Sequence, residues 1–385
     1  MLKSSKQPQS ALASALTRRR LLLGGVALGA FALLPGCGGD DEESTATADT
    51  EPTPVANDDP TSTDAAAEPT ATTAATAEPT ATAAEDATEP NGSSGAFPVI
   101  IEHPLGETTI PAQPQRIVTT NDTEPLDCLL AMGVKPVLYG FTDGYGLGGL
   151  TPWVEAIGVS GVESFDNLER QVDLELIAAG QPDLILDTWT AKDVYQQMSA
   201  IAPTLVIKND DNVPWQDVQR MVGLATGYEQ AAEDAIADTE AIIPEQAARV
   251  AQFADLTVII AYQFFDELLI NGAQVAIGRL IEQLGLTVEA PDPANITFLS
   301  LEQWQSVDGP DLIISPEFFG EDIAKQEESP LFRSLPAVRN GHYVVLPVEV
   351  SQAAYLESTL SVRWVLPNLA DAIIEAAEGR GRQLS

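Results

Sequence analysis

The chain is poor in the residues that most often carry chemistry. Among its 385 residues there are two histidines, two cysteines and 19 basic side chains, against 57 acidic ones. Bare zinc or manganese sites need several His and carboxylate ligands around the ion. His103 precedes a strand-like run and His342 starts one, so no metal site is expected. The cysteines are Cys37 and Cys128; with Cys37 modified, as argued below, no internal disulfide remains. Cys128 sits in the apolar helical run PLDCLLAMG without a basic neighbour, as a small core residue does. There is no GxSxG elbow and no P-loop, and GYGLGGL at Gly144 does not open a capped helix after a strand. These absences point away from an enzyme. The acidic surplus excludes nucleic acid and anionic lipid headgroups as partners.

What is present begins with TRRRLLL at Thr17, followed by an uncharged apolar run from Leu21 to Leu34 and the string LLPGC ending at Cys37. A basic start, a run of 14 apolar and small residues and a small residue before the cut describe an export signal. The run is too short to span a hydrocarbon core of about 30 Å as a settled helix. From Gly38 to about Ala96 the chain is Thr, Ala, Glu, Asp and Pro, with EPT at Glu51, Glu68 and Glu78. Such a segment buries too little apolar surface to offset its ordering entropy and is expected to be a disordered acidic tether. A flexible chain of that length spans roughly 45 Å root-mean-square. Removing leader and tether leaves 43 acidic against 14 basic residues over Phe97 to Ser385.

These 289 residues suffice for two lobes. Strand-like runs RIVTT, VKPVLYGF, PDLILDTW and PTLVIKND alternate with helical patterns, and after a helical stretch the rhythm resumes with LTVIIAY, LTVEA, PDLIIS and HYVVLP. That alternation predicts an α/β fold of mostly parallel sheets flanked by helices. The halves echo each other: VDLELIAAGQPDLIL from Val172 parallels LSLEQWQSVDGPDLII from Leu299. Asp173 and Ser300 stand where N-caps belong, and Glu175 and Glu302 fall in first turns. Between the halves, Gly227 to Val250 reads as one long connecting helix that Pro244 should kink or interrupt. The expected organisation is therefore a signal over 1–36, a tether over 37–96, a first lobe over 97–226, a connecting helix over 227–250 and a second lobe over 251–385.

Six segments in order resemble one family: HPLGETTIPAQPQRIVTT from His103, EPLDCLLAMGVKPVLYG, DLELIAAGQPDLIL, GRLIEQLGL, SLEQWQSVDGPDLII and PLFRSLPAVRNGHYVVLP. They look like the substrate-binding lipoproteins of iron–siderophore ABC importers, the helical-backbone class III periplasmic-binding-protein family that also holds haem and cobalamin binders. LLPGC resembles a lipobox, which implies lipidation at Cys37, and the twin arginine resembles the signal for export of folded proteins. The resemblance implies an extracytoplasmic, membrane-anchored monomer that takes a ferric siderophore as ligand, carries no covalent cofactor and no metal of its own, and delivers its cargo to an ABC permease. It also implies that Glu175 and Glu302 dock on arginines of that permease. The ligand cleft is expected at loops beyond strand ends: Asn121 and Asp122, Phe141 to Tyr145, Trp189 and Trp215 on the first lobe, and Tyr262, Phe264, Arg279, Phe318, Phe319 and Tyr355 on the second. Arg279, in a helix start after a Gly-containing loop, is the leading candidate to pair with ligand oxygens, and Arg363 is either a cleft or a surface helix residue. Haem or cobalamin remains an alternative ligand, with Tyr262 or Tyr355 as an axial group for haem, as does a surface sensor on the same scaffold. The scarcity of Arg and Lys favours a neutral or cationic hydroxamate-type siderophore.

Overall fold

Strands that read as unbroken apolar runs form the centre of each lobe, because a parallel strand covered on both faces has no polar side. The computed structural model describes residues 96–143, 147–168, 171–209, 213–318 and 320–384. The expected signal, the tether, Cys37, Tyr145 and Phe319 lie outside the described residues. An antiparallel hairpin, β1 (Val99–His103) and β2 (Gly106–Ile110), comes first. The first lobe holds β3 (Ile117–Thr119), β4 (Leu138–Phe141), β5 (Glu163–Asp166), β6 (Leu184–Thr188) and β7 (Thr204–Lys208), all parallel in the order β5-β4-β3-β6-β7. Its helices are α1 (Glu124–Ala131), α2 (Pro152–Ile157), α3 (Leu174–Ala179), α4 (Lys192–Ser199) and α5 (Trp215–Thr226). Leu184, Leu186, Leu205 and Ile207 pack under α1 and α5 with Cys128 and Val222; Val118, Ile185 and Phe165 face the other way, with Ile177 and Met198. Cys128 is a buried core thiol, and burial pushes its pKa up.

The order of these strands reverses at β3. From β3 the chain runs outward to β5, then returns to β6 on the opposite side of β3. A crevice beyond the carboxyl ends of β3 and β6 follows from that topology, and it is where ligands of open α/β sheets lie.

The expected connecting helix is two helices, α6 (Glu229–Glu240) and α7 (Ile243–Val250). Pro244 falls in the first turn of α7, where its missing N–H costs nothing; within a continuous helix it would remove a hydrogen bond and clash with the preceding turn. The second lobe contains β8 (Thr257–Phe264), β9 (Glu267–Asn271), α8 (Ala276–Gln283), β10 (Thr287–Val288), β11 (Ile296–Ser300) and a 3-10 helix over Leu301–Val307. It continues with β12 (Leu312–Pro316), α9 (Gly320–Glu328), α10 (Pro330–Arg333), α11 (Pro336–Arg339), β13 (Tyr343–Leu346), α12 (Val348–Leu356) and α13 (Thr359–Ala377). This sheet is mixed: along the path β11-β9-β8-β12-β13, β8, β12 and β13 are parallel and β9 alone is reversed, pairing antiparallel with both β8 and β11, while β10 pairs parallel to β8.

The last helix is a second bond between the lobes. α13 packs on α1, α2 and α6 as well as on α7 and α12. One hydrophobic core therefore runs through both halves, joining Leu126, Trp153 and Trp215 to Val362, Leu366 and the inner face of β8 and β12. No helix among the described residues is long and apolar enough to cross a membrane.

Candidate functional site

At the carboxyl ends of β3, β4, β5 and β6 the strands each run out into Thr, Asn or Asp. These residues enclose a pocket of about 160 Å3 lined by Thr120, Asn121, Thr142, Asn167, Asp187, Thr188, Trp189 and Thr190, with Val172, Ala191 and Val194. Gly140 in β4 allows the layers to close. A Cβ there would stand 1.9 Å from the carbonyl oxygen of Thr120, so no other residue fits without moving the β3 loop.

Asp187 organises the pocket floor. It accepts hydrogen bonds from the hydroxyls of Thr120 and Thr190 and, at 2.8 Å, from the backbone N–H of Thr188. Asp122 does the same for the β4 end, accepting from the Thr142 hydroxyl and, at 3.1 Å, from its N–H. Asn167 donates its amide to the Thr120 carbonyl at 2.6 Å, while its own Oδ1 is buried without a partner. Trp189 stands at the lip with φ +55°, a conformation rarely adopted by a bulky residue, held by its N–H on the Lys208 carbonyl at 2.8 Å. Strained backbone of this kind clusters at ligand sites.

A charged seam joins the two lobes. The Lys208 ammonium, at the end of β7, is 3.9 Å from Glu124 of α1 and 3.5 Å from the Leu356 carbonyl of α12. Asp127 of α1 accepts from Trp153 Nε1 at 2.7 Å and from the hydroxyl of Ser358, the N-cap of α13. Burial holds the Asp127 carboxyl well above the usual carboxylate range against those two hydrogen bonds. Arg279 closes the seam on the second lobe. Its Nε donates to Glu357 Oε1 at 3.0 Å, a second nitrogen donates to Glu357 Oε2, and a third donates to the Gln274 carbonyl. Burial raises the Glu357 carboxyl above its ordinary value, although the Arg279 hydrogen bond and charge and the Lys208 charge act the other way.

The sequence-derived candidates divide accordingly. Asn121 and Trp189 line the pocket. Phe318 is half-buried and stacks edge-on against Tyr355, with ring centroids 5.0 Å apart. Four candidates are core residues: Trp215 (1 % exposed), Tyr262 (1 %), Phe264 (5 %) and Tyr355 (6 %) offer almost no surface to a ligand. They belong to the shared core because α5 and the inner face of the second sheet need large apolar side chains where the lobes meet. The Tyr355 hydroxyl is bonded to Asn271 and, at 3.1 Å, to the Tyr262 hydroxyl. Arg279 is committed to Glu357, so it is a clamp rather than an open anion receptor. Arg363 is a surface helix residue, 3.6 Å from Asp238 of α6. His103 contacts Thr108 and Tyr195, and His342 contacts the Ala376 carbonyl; both are structural. No cluster that could hold a metal ion occurs among the described residues. Sequence reasoning missed Thr120, Asn167, Asp187 and Thr190, while Thr142 falls within the expected loop Phe141 to Tyr145; the signal for the rest was there, in the polar residues that close RIVTTN, FDN and LILDTWT.

Glu175 and Glu302 occupy equivalent places. Each begins the helix that follows an edge strand, β5 in one sheet and β11 in the other, and precedes a central strand, β6 or β12. Asp173 caps the first helix, accepting from the N–H groups of Glu175 and Leu176 at 3.1 and 3.0 Å. Ser300 and Gln303 form a capping box at the second. Both glutamates are exposed, and neither pairs with a cation among the described residues.

Two α/β lobes with a polar pocket at the carboxyl ends of the first sheet's strands have the frame of a solute-binding protein. The chain belongs to the Periplasmic binding protein family, whose model matches residues 166–350. It is 30% identical over 293 residues to the ferric enterobactin-binding periplasmic protein FepB of Escherichia coli O6:H1, covering 67% of this chain and 87% of that one. It is 24% identical over 246 residues to the Fe(3+)-citrate-binding protein YfmC of Bacillus subtilis, covering 63% and 76%. A solved periplasmic solute binding protein from Mycobacterium smegmatis superposes with a TM-score of 0.62 at 25% identity, covering 72% of this chain and 98% of that one. Family membership places the chain among extracytoplasmic binding proteins and not among enzymes.

Proposed function

We propose that this protein captures a ferric siderophore in the cleft between its lobes and hands it, chemically unchanged, to an ABC permease. The observation that carries this reading is the 30% identity with a ferric enterobactin-binding protein over 87% of that protein's length, together with the polar pocket at the strand-order reversal. Asn121, Trp189 and Phe318 contact the ligand. The haem reading loses its axial candidates, since Tyr262 and Tyr355 are buried and bonded to each other. Acylation of Cys37 anchors the chain outside the cytoplasm, residues 38–96 act as its tether, and Glu175 and Glu302 seat the monomer on permease arginines, contributing orientation more than affinity. Titrating the intrinsic Trp fluorescence with ferric siderophores, haem and cobalamin tests the ligand assignment. Quenching by a ferric siderophore at micromolar or lower concentration is expected; quenching by haem or cobalamin alone contradicts it.

A further inference from the structure

We infer that the first-lobe wall of the cleft receives a positively charged, hydrogen-bond-donating arm of the ligand, a primary ammonium, and that the cargo is accordingly a cationic ferric hydroxamate rather than an anionic catecholate or citrate complex. This rests on the siderophore reading above and narrows it. A threonine hydroxyl has one proton to give and two lone pairs. Four threonines line the pocket, and all four protons are spent on the protein itself. Thr120 and Thr190 donate to Asp187, Thr142 donates to Asp122, and Thr188 donates to the Lys208 carbonyl at 3.1 Å. What these hydroxyls have left for a ligand is lone pairs.

Asn167 adds a second, independent sign. It is 5 % exposed, its amide nitrogen is used on the Thr120 carbonyl, and its Oδ1 has no partner. A buried acceptor without a donor is destabilising, and a ligand donor placed in this pocket would satisfy it. No Arg or Lys side chain lines the pocket among the described residues. The two cations of the nearby seam, Lys208 and Arg279, face Glu124 and Glu357. Among the described lining residues, an anionic oxygen entering here would meet lone pairs and the Asp187 carboxylate, with the Asn121 amide and the Trp189 indole as the side-chain donors left. An ammonium brings three donors and no acceptor, and an aromatic lip such as Trp189 suits a cation. The volume agrees: about 160 Å3 holds an alkylammonium chain, whereas sites for whole drug-sized ligands run to about 300–1,000 Å3. The iron centre would therefore sit outside this pocket, in the wider cleft. The specificity differs from that of FepB and YfmC, whose names give enterobactin and citrate complexes as ligands.

The test uses the full chain in detergent and three ferric probes: ferrioxamine B, a linear trihydroxamate with a free ammonium tail; its N-acetylated form; and ferric enterobactin, an anionic triscatecholate. Ferrioxamine B is expected to bind about tenfold more tightly than the acetylated form, the change set by one charged hydrogen bond, with ferric enterobactin weaker than both. Asn167→Leu should shrink the ratio between the two hydroxamates to about threefold or less. Thr190→Val gives the same readout should Asn167→Leu fail to fold. Tighter binding of ferric enterobactin than of ferrioxamine B overturns the charge assignment while leaving the siderophore reading intact. Equal affinity for the free and acetylated amines overturns the ammonium arm. Binding of none of the ferric complexes overturns both readings.

Discussion

Replacing Arg279 by Met isolates the clamp at the seam. Glu357 has a side-chain exposure of 1 % and Arg279 of 17 %, so the substitution leaves a buried carboxyl without its hydrogen-bonded partner and with the Lys208 charge as its nearby compensation. Breaking a buried pair by removing one partner typically costs about 3–5 kcal/mol. Here part of that is relieved by protonation, because burial already holds Glu357 above its ordinary value of 4.5 and the loss of Arg279 raises it further. The expected loss near neutral pH is therefore about 2–3 kcal/mol, or a fall in Tm of about 5–10 °C for a domain of this size. The sign with pH follows from the raised folded-state value. Ionised Glu357 opposes folding above that value, and the penalty fades as pH falls toward 4.5 and the group is protonated in both states. The deficit of Arg279→Met relative to the natural chain should shrink over that window. In a double-mutant cycle with Glu357→Gln, thermal unfolding should give a coupling of about 2 kcal/mol. A single-variant loss below about 0.5 kcal/mol, a deficit that persists at low pH, or strict additivity would refute the clamp.

Other perturbations follow from the same geometry. Asp127→Asn should match the natural chain at acid pH and gain on it as pH rises, since the burial-raised carboxyl becomes costly only when it ionises; urea titrations at several pH values read this directly. Ser358→Ala removes both the α13 N-cap and the bond to Asp127 and should cost about 1–2 kcal/mol in the same assay. Gly140→Ala drives a Cβ into the Thr120 carbonyl and should cost about 2 kcal/mol or more, with ligand affinity lost alongside as the pocket wall shifts. Reversing Glu175 and Glu302 together to Arg should lower siderophore uptake by whole cells while the dissociation constant in solution stays unchanged. Uptake at the natural rate would return both residues to ordinary helix-start carboxylates.

The parallel strands were legible in the sequence because burial on both faces makes them short apolar blocks, as in PDLILDTW and PDLIIS, and the helix caps were legible because Asp173 and Ser300 act through their immediate neighbours. The missed strands lack that signature. β5 is a four-residue edge strand with one buried position. β9 and β11 form antiparallel pairs whose partners are set by the turn at Phe265, φ +54°, and by a loop crossing from Asp292 to Asn295. Trp215, Tyr262, Phe264 and Tyr355 proved to be core residues for a related reason. An aromatic at a strand end reads the same whether it faces a cleft or fills the core shared by two lobes, and only the three-dimensional packing puts Trp215 and Tyr262 inside. The partner of Arg279 lies 78 residues away, beyond any local pattern. The threonine-lined pocket was within reach, since strand order and the polar residue after each strand locate it.

The central claim is capture without chemistry, and native mass spectrometry of the full chain with ferrioxamine B tests it most directly. One iron-loaded siderophore should bind per chain, the iron-free form should bind far more weakly, and the ligand released on denaturation should have its original mass. Equal binding of the iron-free form, a released ligand of altered mass, or no complex with this or any other ferric siderophore would contradict the account.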